Sequence, residues 1–479
     1  MTFEPVIGLE IHAHLLTDTK IFCGCRTAFG APPNSQVCPV CLGLPGALPV
    51  LNRRAVKHAV RASLALGCDV QPVSIFARKN YFYPDLPKGY QISQYEQPLA
   101  TGGRVAYAID GAPHEVRITR VHMEEDAGKS LHEGFPDSER STYLDFNRSG
   151  VPLIEIVTEP DLRAPGEAAH FFEHLRRILL ALGVNDGNME EGSLRCDANV
   201  SVRPAGAERL GVKVEVKNLN SFRFLEQALA HEVERQTGVV EGGGRVVQET
   251  RLWDTARRRT TAMRSKEEAH DYRYFPDPDL PPLVVDPAWV DALRGSLPEL
   301  PEARRQRLIA RYALPQQDAA LLAHDGAVAD YFEAAAEASG NPRGAANWIM
   351  GELTRLAKSG NVSVPAVGVT PAALGALVRM IDGGKVSGSA AKGVLERMAR
   401  TGDAPEAIVE AEGLAQIGDA GALEGAVRQA LADNPDAVRK FRSGKEGALG
   451  YLVGQVMRAT RGQANPRLAK EMVRRALQE

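Results

Sequence analysis

Side chains able to bind metal ions are concentrated near the start of this 479-residue chain. Residues 6–14 alternate between apolar side chains and an acid or a histidine. In an extended strand, side chains two residues apart point to the same face. The pattern therefore predicts a strand with a polar face of Glu10, His12 and His14 and an apolar face of Ile7, Leu9 and Ile11.

Four of the six cysteines follow the spacing C-x-C-x12-C-x2-C. Zinc binds four thiolates in a tetrahedron, and two closely spaced pairs supply that geometry. Four thiols leave no open coordination position for catalysis, so the prediction is a structural zinc site, with disulfides or simple burial as the alternatives. The ligands would be Cys23, Cys25, Cys38 and Cys41, whereas the isolated Cys68 and Cys196 are predicted to be buried as small apolar side chains.

Further along the chain, three successive acids, Glu124, Glu125 and Asp126, end a strand-like run, and Glu155 lies inside an apolar one. An ionised carboxylate in an apolar strand is costly unless it is paired or binds a metal. We predict a Mg²⁺ site suited to phosphoryl transfer. Its ligands would be Glu10, His12, Glu155 and one of Glu124 and Glu125, which should have different roles because neighbouring strand residues face opposite ways. Each acid alone also fits an exposed charge or an ion pair.

Residues 78–91 combine basic and aromatic side chains with prolines in one irregular run. Aromatic rings stack on bases and ammonium groups neutralise phosphates, so the run fits nucleic acid or nucleotide binding. A buried aromatic turn with solvated lysines fits the same composition. Two polar runs, 190–199 and 217–223, supply further donors for phosphate or carboxylate groups. Neither a GxxxxGK[ST] nor a GxGxxG motif follows a strand, so any nucleotide site must be of another type.

The composition is that of a globular protein, with 44% hydrophobic and 24% charged residues and a net charge of −3. The first residues lack the pattern of a signal peptide, and no apolar run reaches the roughly 18 residues that span a bilayer. We therefore expect a cytoplasmic protein without membrane association.

The chain changes character along its length. Up to about residue 290 the chain consists mainly of short β-like segments, interrupted by a few helical ones that include 53–66 and 168–182. Because the helices do not follow the strands regularly, this predicts an α+β fold and not a βαβ alternation. A linker at 297–301 leads into a helical region, and a second break near 401–405 precedes a helical tail. We predict domains at 1–294, 295–407 and 408–479. Residues 434–479 carry a net charge of +6, which fits either contact with a polyanion or a solvated basic helix face.

Over essentially its whole length the chain resembles the B subunit of the glutamine-dependent aspartyl/glutamyl-tRNA amidotransferase. Long and unusual strings carry the resemblance, and its last two are typical of the YqeY-type domain that ends this family. The strings are GLEIH (8–12), PNS (33–35), KNYFYPDLPKGYQISQ (79–94), HMEEDAGK (122–129), NRSGVPLIEI (147–156), DYRYFPDPDLPP (271–282), GALGYLVG (447–454) and GQANP (462–466).

The resemblance implies a cradle-shaped catalytic body with a mixed or antiparallel sheet, a helical domain and a small helical tail that binds tRNA. In this family the B subunit phosphorylates the side-chain carboxylate of mischarged Asp-tRNA(Asn) or Glu-tRNA(Gln) with ATP and Mg²⁺. Ammonia from the A subunit then forms the amide, and a small C subunit completes the heterotrimer. A non-discriminating aminoacyl-tRNA synthetase is a further expected partner. The residues expected to bind ATP are Lys79, Tyr81, Lys88, Arg148, Ser193 and Arg195.

Two other functions fit parts of the sequence. A non-catalytic, zinc-containing tRNA-binding adaptor would account for the cysteines and the basic tail, but it leaves the buried acids unexplained. A self-contained amide ligase would use free ammonia and a small acid, and it would not require the tRNA acceptor. Mg²⁺-dependent ATP turnover on mischarged tRNA distinguishes the first from the amidotransferase, and the need for an intact tRNA distinguishes the second.

Overall fold

The computed structural model describes residues 2–263, 272–416, 420–460 and 463–478. Two residues of the strings that carry the family resemblance, Asp271 and Gly462, lie outside these ranges. The chain divides into two compact units, Met1–Ala303 and Arg304–Glu479, which are described separately.

The first unit mixes strands with four helices in the part that the structure describes. Its strands are β1 (Phe3–His14), β2 (Asp69–Val70), β3 (Val73–Ser74), β4 (Ala77–Asn80), β5 (Tyr90–Ser93), β6 (Ala100–Thr101), β7 (Arg104–Ile109), β8 (Ala112–Glu125), β9 (Lys129–Leu131), β10 (Tyr143–Asp145), β11 (Pro152–Thr158), β12 (Leu194–Pro204), β13 (Val214–Lys217), β14 (Thr250–Asp254), β15 (Arg259–Ala262), β16 (Phe275–Pro276) and β17 (Leu283–Val284). Its helices are α1 (Arg53–Ala65), α2 (Pro165–Ala181), α3 (Phe222–Glu241) and α4 (Pro287–Gly295).

Local sequence explains where the helices begin and end. The side chain of Asn52 accepts hydrogen bonds from the first amides of α1, and Ser221 does the same for α3. Pro165 opens α2, where its fixed φ is favourable. Gly183 follows α2 with φ +62°, a conformation that glycine adopts without strain. The helices predicted at 53–66 and 168–182 are therefore present with nearly the expected limits.

Ten strands of the described residues form one large sheet, and β1 lies near its middle. The order is β15-β14-β13-β12-β1-β11-β8-β6-β2, with β7 paired to β8. The pairs are antiparallel except for the parallel pair of β13 and β14. Strands far apart in sequence therefore lie side by side, and residues from β12, β1, β11 and β8 come together on one surface.

The two faces of the central strands differ in polarity, as the alternation in β1 predicts. The apolar face is fully buried, and its side chains belong to one hydrophobic core with residues of α1, α2 and α3. This face includes Ile7, Leu9, Ile11, Ala13, Val121, Met123, Ile154, Ile156, Cys196, Ala198 and Val200. Cys68 and Cys196 are buried, as predicted. The opposite face carries the charged and imidazole side chains.

The second unit is helical throughout its described part. Its helices are α5 (Pro301–Tyr312), α6 (Gln316–Ala323), α7 (Gly326–Ser339), α8 (Pro342–Trp348), α9 (Thr354–Gly360), α10 (Pro371–Asp382), α11 (Gly388–Thr401), α12 (Pro405–Ala411), α13 (Ala420–Asp433), α14 (Pro435–Arg442), α15 (Gly447–Ala459) and α16 (Pro466–Gln478). A π-helical turn at Ile349–Leu353 joins α8 to α9, and a 3-10 turn occupies Val364–Ala366. One hydrophobic core contains residues of α5 to α12, and another contains residues of α13 to α16.

The fold class predicted from the sequence is confirmed: an α+β body with a large mixed sheet precedes a helical C-terminal region. The domain limits at 294 and 407 remain predictions. Among the described residues, no helix has the length and apolar character needed to cross a membrane.

Leu9 tests how strongly the central strand depends on its apolar face, because its side chain is only 1% exposed. Leu9→Ala should lower the free energy of unfolding by about 2–5 kcal/mol, since it removes buried methyl groups and leaves a cavity. Leu210→Ala is a matched control, as that leucine is 52% exposed, and its cost should stay within about 0.5 kcal/mol. Urea unfolding of both variants measures the difference, and equal costs would contradict the assignment of the core face.

Candidate functional site

The polar face of the large sheet aligns four side chains from four neighbouring strands. His12 on β1 is opposite Arg195 on β12 and Glu155 on β11, and Glu155 is in turn opposite His122 on β8. This row exists because residues on the same face of paired strands lie directly beside one another. Glu124 follows His122 by two positions and therefore shares its face.

His12, Glu124 and Glu155 form a compact group whose potential ligand atoms all lie within 4.8 Å of one another. His12 Nε2 lies 3.2 Å from Glu155 Oε2 and 3.9 Å from Glu124 Oε1. His122 Nε2 lies 3.7 Å from the Glu124 carboxylate and 3.6 Å from that of Glu155. Ser93 Oγ donates a 3.0 Å hydrogen bond to Glu124. Two carboxylates are thus held close together between two imidazoles.

Both carboxylates are buried, with Glu124 3% and Glu155 9% exposed. Burial alone would raise the pKa of Glu155, but the imidazoles of His122 and His12 outweigh it and hold that pKa below its ordinary value. Burial also opposes ionisation of Glu124, yet the hydrogen bond with His122 keeps its pKa low. In the part of the chain that the structure describes, neither carboxylate has a lysine or arginine within ion-pair distance. The group therefore holds two ionised carboxylates at one place, where a cation is favoured.

Glu10 lies on the same face but is not part of the three-residue group. Its carboxylate accepts a 2.9 Å hydrogen bond from Asn199. Burial raises the pKa of Glu10, and the nearby charge of Glu155 raises it further. Glu10 therefore lies outside the three-residue group but close enough to Glu155 for that charge to oppose its ionisation.

Glu125 points away from this group, as the alternation along β8 predicts. Its carboxylate forms an ion pair with Lys88 and accepts a 2.9 Å hydrogen bond from the backbone of Ile92. Both Lys88 and Glu125 line a cavity of about 190 Å³ beside Cys23 and Cys41. Of the two neighbouring acids, Glu124 therefore lies with His12 and Glu155, whereas Glu125 does not. Lys88 likewise lies with Glu125 and not with the three-residue group.

Lys79 carries an ammonium group on which the charges of Glu124 and Glu155 act. Burial would lower the pKa of Lys79, but the charges of Glu124 and Glu155 outweigh it and the pKa is raised. Its Nζ lies 4.9 Å from the ring centre of Tyr272 and 5.9 Å from that of Tyr81. Tyr81 also donates a 3.1 Å hydrogen bond to Gln91. Lys79 and Tyr81 thus lie beside the acidic group, where the sequence places nucleotide binding.

A second charged cluster centres on the buried Asp126. Its Oδ2 accepts a 2.7 Å hydrogen bond from His14 Nε2 and a 3.0 Å bond from Arg195 Nη2, and Arg148 Nε lies 3.5 Å away. Burial would raise the pKa of Asp126, but the two arginines and His14 hold it far below its ordinary value. Two guanidinium groups around one carboxylate leave a positive excess, which suits an anion.

The side chain of Ser193 is hydrogen bonded within its own loop. Its hydroxyl donates to Asn188 O at 2.8 Å and to Asp186. The backbone carbonyl of Ser193 accepts from the amide of His14 at 2.8 Å. The hydroxyl predicted to contact a nucleotide is therefore engaged within the chain.

Sequence reasoning missed His122, Ser93 and the role of Asp126. His122 could have been found, because it precedes Glu124 by two positions and must share its face. Ser93 and Asp126 reach their partners only through the pairing of distant segments, so no local signal marks them.

The acidic group fits a hard divalent cation. Mg²⁺ is usually held by one or two carboxylates and by substrate phosphates, and Glu124 and Glu155 are two buried carboxylates whose ion-pair contacts among the described residues come from histidines and not from lysine or arginine. His12 offers a nitrogen ligand at the same place.

The four clustered cysteines also fit a metal ion. All are free thiols, and their sulfur atoms lie within 4.8 Å of one another. Cys38 Sγ and Cys41 Sγ are 3.9 Å apart, close to the roughly 3.8 Å edge of a tetrahedron with zinc–sulfur bonds of about 2.3 Å. The fully buried Lys20 donates to Cys41 Sγ at 3.5 Å, so a cation partly offsets the charge of the thiolates.

Comparisons with known proteins agree with this arrangement. Residues 5–291 match the family of the GatB/GatE catalytic domain, and residues 330–477 match that of the GatB domain. The chain is 56% identical over 479 residues to the B subunit of the aspartyl/glutamyl-tRNA(Asn/Gln) amidotransferase of Anaeromyxobacter dehalogenans, with 99% of each chain covered. It is 52% identical over 479 residues to the protein of the same name from Thermodesulfovibrio yellowstonii, with both chains fully covered. The resemblance predicted from the sequence is confirmed.

The cysteine cluster predicts about one zinc ion per chain. Cys38→Ser should abolish zinc binding and lower the melting temperature, because a structural zinc site contributes directly to folding. Cys68→Ser is the control, since that thiol is buried away from the cluster, and it should retain the metal. Elemental analysis and thermal unfolding measure both effects. Absence of zinc from freshly prepared, reduced wild-type protein would contradict the assignment.

Proposed function

The chain belongs to the GatB/GatE family, and we propose that it activates the side-chain carboxylate of aspartate or glutamate on a mischarged tRNA with ATP, so that ammonia can form the amide. The observation that carries the proposal is the group of His12, Glu124 and Glu155. This group lies on the polar face of the large sheet, near Lys79 and near the arginines around Asp126.

The proposed chemistry has two steps. A carboxylate oxygen of the substrate attacks the γ-phosphorus of ATP, the bond to ADP breaks, and an acyl phosphate forms. Ammonia then attacks the acyl carbon, inorganic phosphate leaves, and a proton is lost to give the amide. Activation is needed because an ionised carboxylate is a poor acyl donor. The first step brings several negative charges together, so positively charged groups must stabilise it.

The residues divide this work between two neighbouring regions. Glu124, Glu155 and His12 would hold Mg²⁺, which when bound neutralises charge on the reacting phosphate groups. The charges of the same carboxylates act on Lys79, which would direct its ammonium group to the phosphate. Arg148 and Arg195 contact Asp126 in the neighbouring charged cluster, and their guanidinium groups suit the remaining phosphate oxygens.

The site argues against the alternative of a non-catalytic, zinc-containing tRNA-binding adaptor. Such a protein has no need for two buried carboxylates held 3.2–3.9 Å from an imidazole, an arrangement that is costly without a cation. The cysteine cluster would then be a structural element of the same catalytic body. The second alternative, a ligase that uses free ammonia and a small acid, is tested by the requirement for tRNA.

The names of the relatives describe one subunit of an amidotransferase that acts on tRNA. We therefore propose that this chain works in a complex with an amidase A subunit that supplies ammonia and a small C subunit. The basic residues of α14–α16 would contact the tRNA, with a non-discriminating aminoacyl-tRNA synthetase as a further partner in the cell.

Substitution of the metal-binding group should abolish activation. Glu155→Gln and His12→Ala should each slow ATP-dependent phosphorylation of mischarged tRNA by about a thousandfold or more, because a metal-stabilising group contributes several kcal/mol to the transition state. Glu10→Gln should have a smaller effect, since Glu10 lies outside the three-residue group. The assay follows the acyl phosphate in the assembled amidotransferase at several Mg²⁺ concentrations.

Glu159→Gln is the matched control, because this nearby carboxylate is hydrogen bonded to Thr119 outside the group. It should leave phosphorylation unchanged. Glutamine hydrolysis by the partner subunit should persist in all variants. Near-normal phosphorylation by both Glu155→Gln and His12→Ala would place the active site elsewhere.

The basic tail should contribute electrostatically to tRNA affinity. Deletion from residue 417 onward removes a net charge of +4 in all, including the segment 434–479 that carries +6. The affinity for tRNA should fall, and the dependence of log K on log salt should flatten by about one unit for each phosphate that the protein no longer neutralises. Filter binding over a range of salt concentrations measures both effects. Unchanged affinity and slope would make the tail a solvated surface.

A further inference from the structure

Two segments, each of which includes residues of a string that carries the family resemblance, are hydrogen bonded to each other. The cysteine loop, residues 26–37, connects the two cysteine pairs and contains the PNS string. The arginine segment, residues 144–150, contains the beginning of the NRSG string and Arg148. More than 100 residues of chain separate them, so their contact is tertiary and invisible in the local sequence.

Asn34 forms one half of this contact. Its side-chain amide donates to Leu144 O at 2.8 Å, and its side-chain oxygen accepts from Phe146 N at 2.8 Å. The backbone amide of Asn34 donates to Asp145 Oδ1 at 3.0 Å. Asn34 has φ +57°, a left-handed conformation that asparagine tolerates better than most residues. One side chain thus fixes the backbone on both sides of Asp145.

Asn147 forms the reciprocal half. Its side-chain oxygen accepts from Gln36 N at 2.8 Å, and its amide donates to Pro32 O at 2.7 Å. Its backbone amide donates to Asp145 Oδ1 at 3.0 Å, the same oxygen that receives Asn34. Each segment therefore places an asparagine against the backbone of the other, and the two asparagines flank a shared aspartate.

The second cysteine pair extends the contact. Ser149 Oγ donates to Cys41 O at 3.2 Å, and Lys20 Nζ donates to Phe146 O at 3.2 Å while it contacts Cys41 Sγ. The amide of Ile21 donates to Gly150 O at 2.9 Å. Hydrogen bonds thus join the arginine segment, along most of its length, to the part of the chain that carries the cysteines.

Arg148 lies in the middle of this fastened segment and points toward the polar face. Its guanidinium donates to Ala127 O at 3.0 Å and to Gly128 O at 2.6 Å. Its Nε lies 3.5 Å from Asp126 Oδ2, and a third of the side chain is exposed. The contacts that hold its backbone come from the cysteine loop, whereas those that aim its side chain come from the end of β8.

We propose that the cysteine loop positions Arg148 for a phosphate group of the nucleotide by holding the arginine segment through Asn34 and Asn147. The inference rests on the proposed function for the identity of the ligand. Asn34 and Asn147 are positioning residues, since they act on the ligand through Arg148. This gives the cysteine cluster a role in nucleotide binding although it contributes no atom to the acidic group.

The test measures the dissociation constant for ATP, and KM and kcat for phosphorylation, in the assembled amidotransferase. Asn34→Gly keeps the left-handed backbone accessible and removes two side-chain hydrogen bonds, and Asn147→Ala removes the side-chain hydrogen bonds with Gln36 N, Pro32 O and Ala31 O. Each should weaken ATP binding about tenfold, the effect of losing one or two net hydrogen bonds, with a larger change in KM than in kcat. Added to Arg148→Ala, Asn34→Gly should cause almost no further loss, because both changes act through the same guanidinium.

Gln36→Ala is the matched control, since its side-chain amide donates within the cysteine loop, to Ala28 O at 3.0 Å, and its backbone contact with Asn147 remains. It should leave the affinity for ATP unchanged. Zinc content and melting temperature verify that each variant is folded.

Unchanged ATP affinity in folded Asn34→Gly and Asn147→Ala, with weakened binding in Arg148→Ala, would overturn the positioning role and leave the proposed function standing. Unchanged affinity in Arg148→Ala would remove this arginine from nucleotide binding and overturn both statements about it. Fully additive losses in the double variant would mean that Asn34 acts by another route. Loss of zinc or of folding in both asparagine variants would reduce the contacts to structural support.

Discussion

The central constraint in this protein is the burial of two carboxylates, Glu124 and Glu155, beside each other on a sheet face. Bringing like charges out of water is unfavourable unless a cation or hydrogen bonds compensate. The described residues supply two imidazoles, one serine hydroxyl and a nearby ammonium group, with no direct lysine or arginine contact. A bound metal ion would stabilise such a pair of carboxylates. The strands and the core of the first unit hold the two side chains in position for it.

The large sheet provides that support through its register. β1 lies between β12 and β11, so His12 has Arg195 on one side and Glu155 on the other. The opposite face of the same strands packs on α1, α2 and α3, which fixes the strands and leaves the polar face free of covering helices from this set. A one-residue shift in β1 would exchange its two faces, so the hydrophobic core and the acidic group depend on the same alignment.

Much of this could be predicted from local sequence. The alternation in β1 predicted its two faces, and the different directions of Glu124 and Glu125 followed from their adjacency on a strand. The order of the strands could not be predicted, because β1 pairs with segments about 150 and 190 residues away. For the same reason the sequence did not indicate the ring of cations around Asp126 or the contact of Asn34 with the arginine segment. These features come from long-range pairing, which leaves no periodic signal.

The role of the two buried carboxylates is tested by locating a bound metal ion. Crystals of the assembled amidotransferase grown with Mn²⁺ and a non-hydrolysable ATP analogue would allow the ion to be found by its anomalous scattering. The ion should give a peak between His12, Glu124 and Glu155, within about 2.0–2.3 Å of their ligand atoms. A peak at Glu125, or an ion held only by the nucleotide with no protein ligand from this group, would contradict that role.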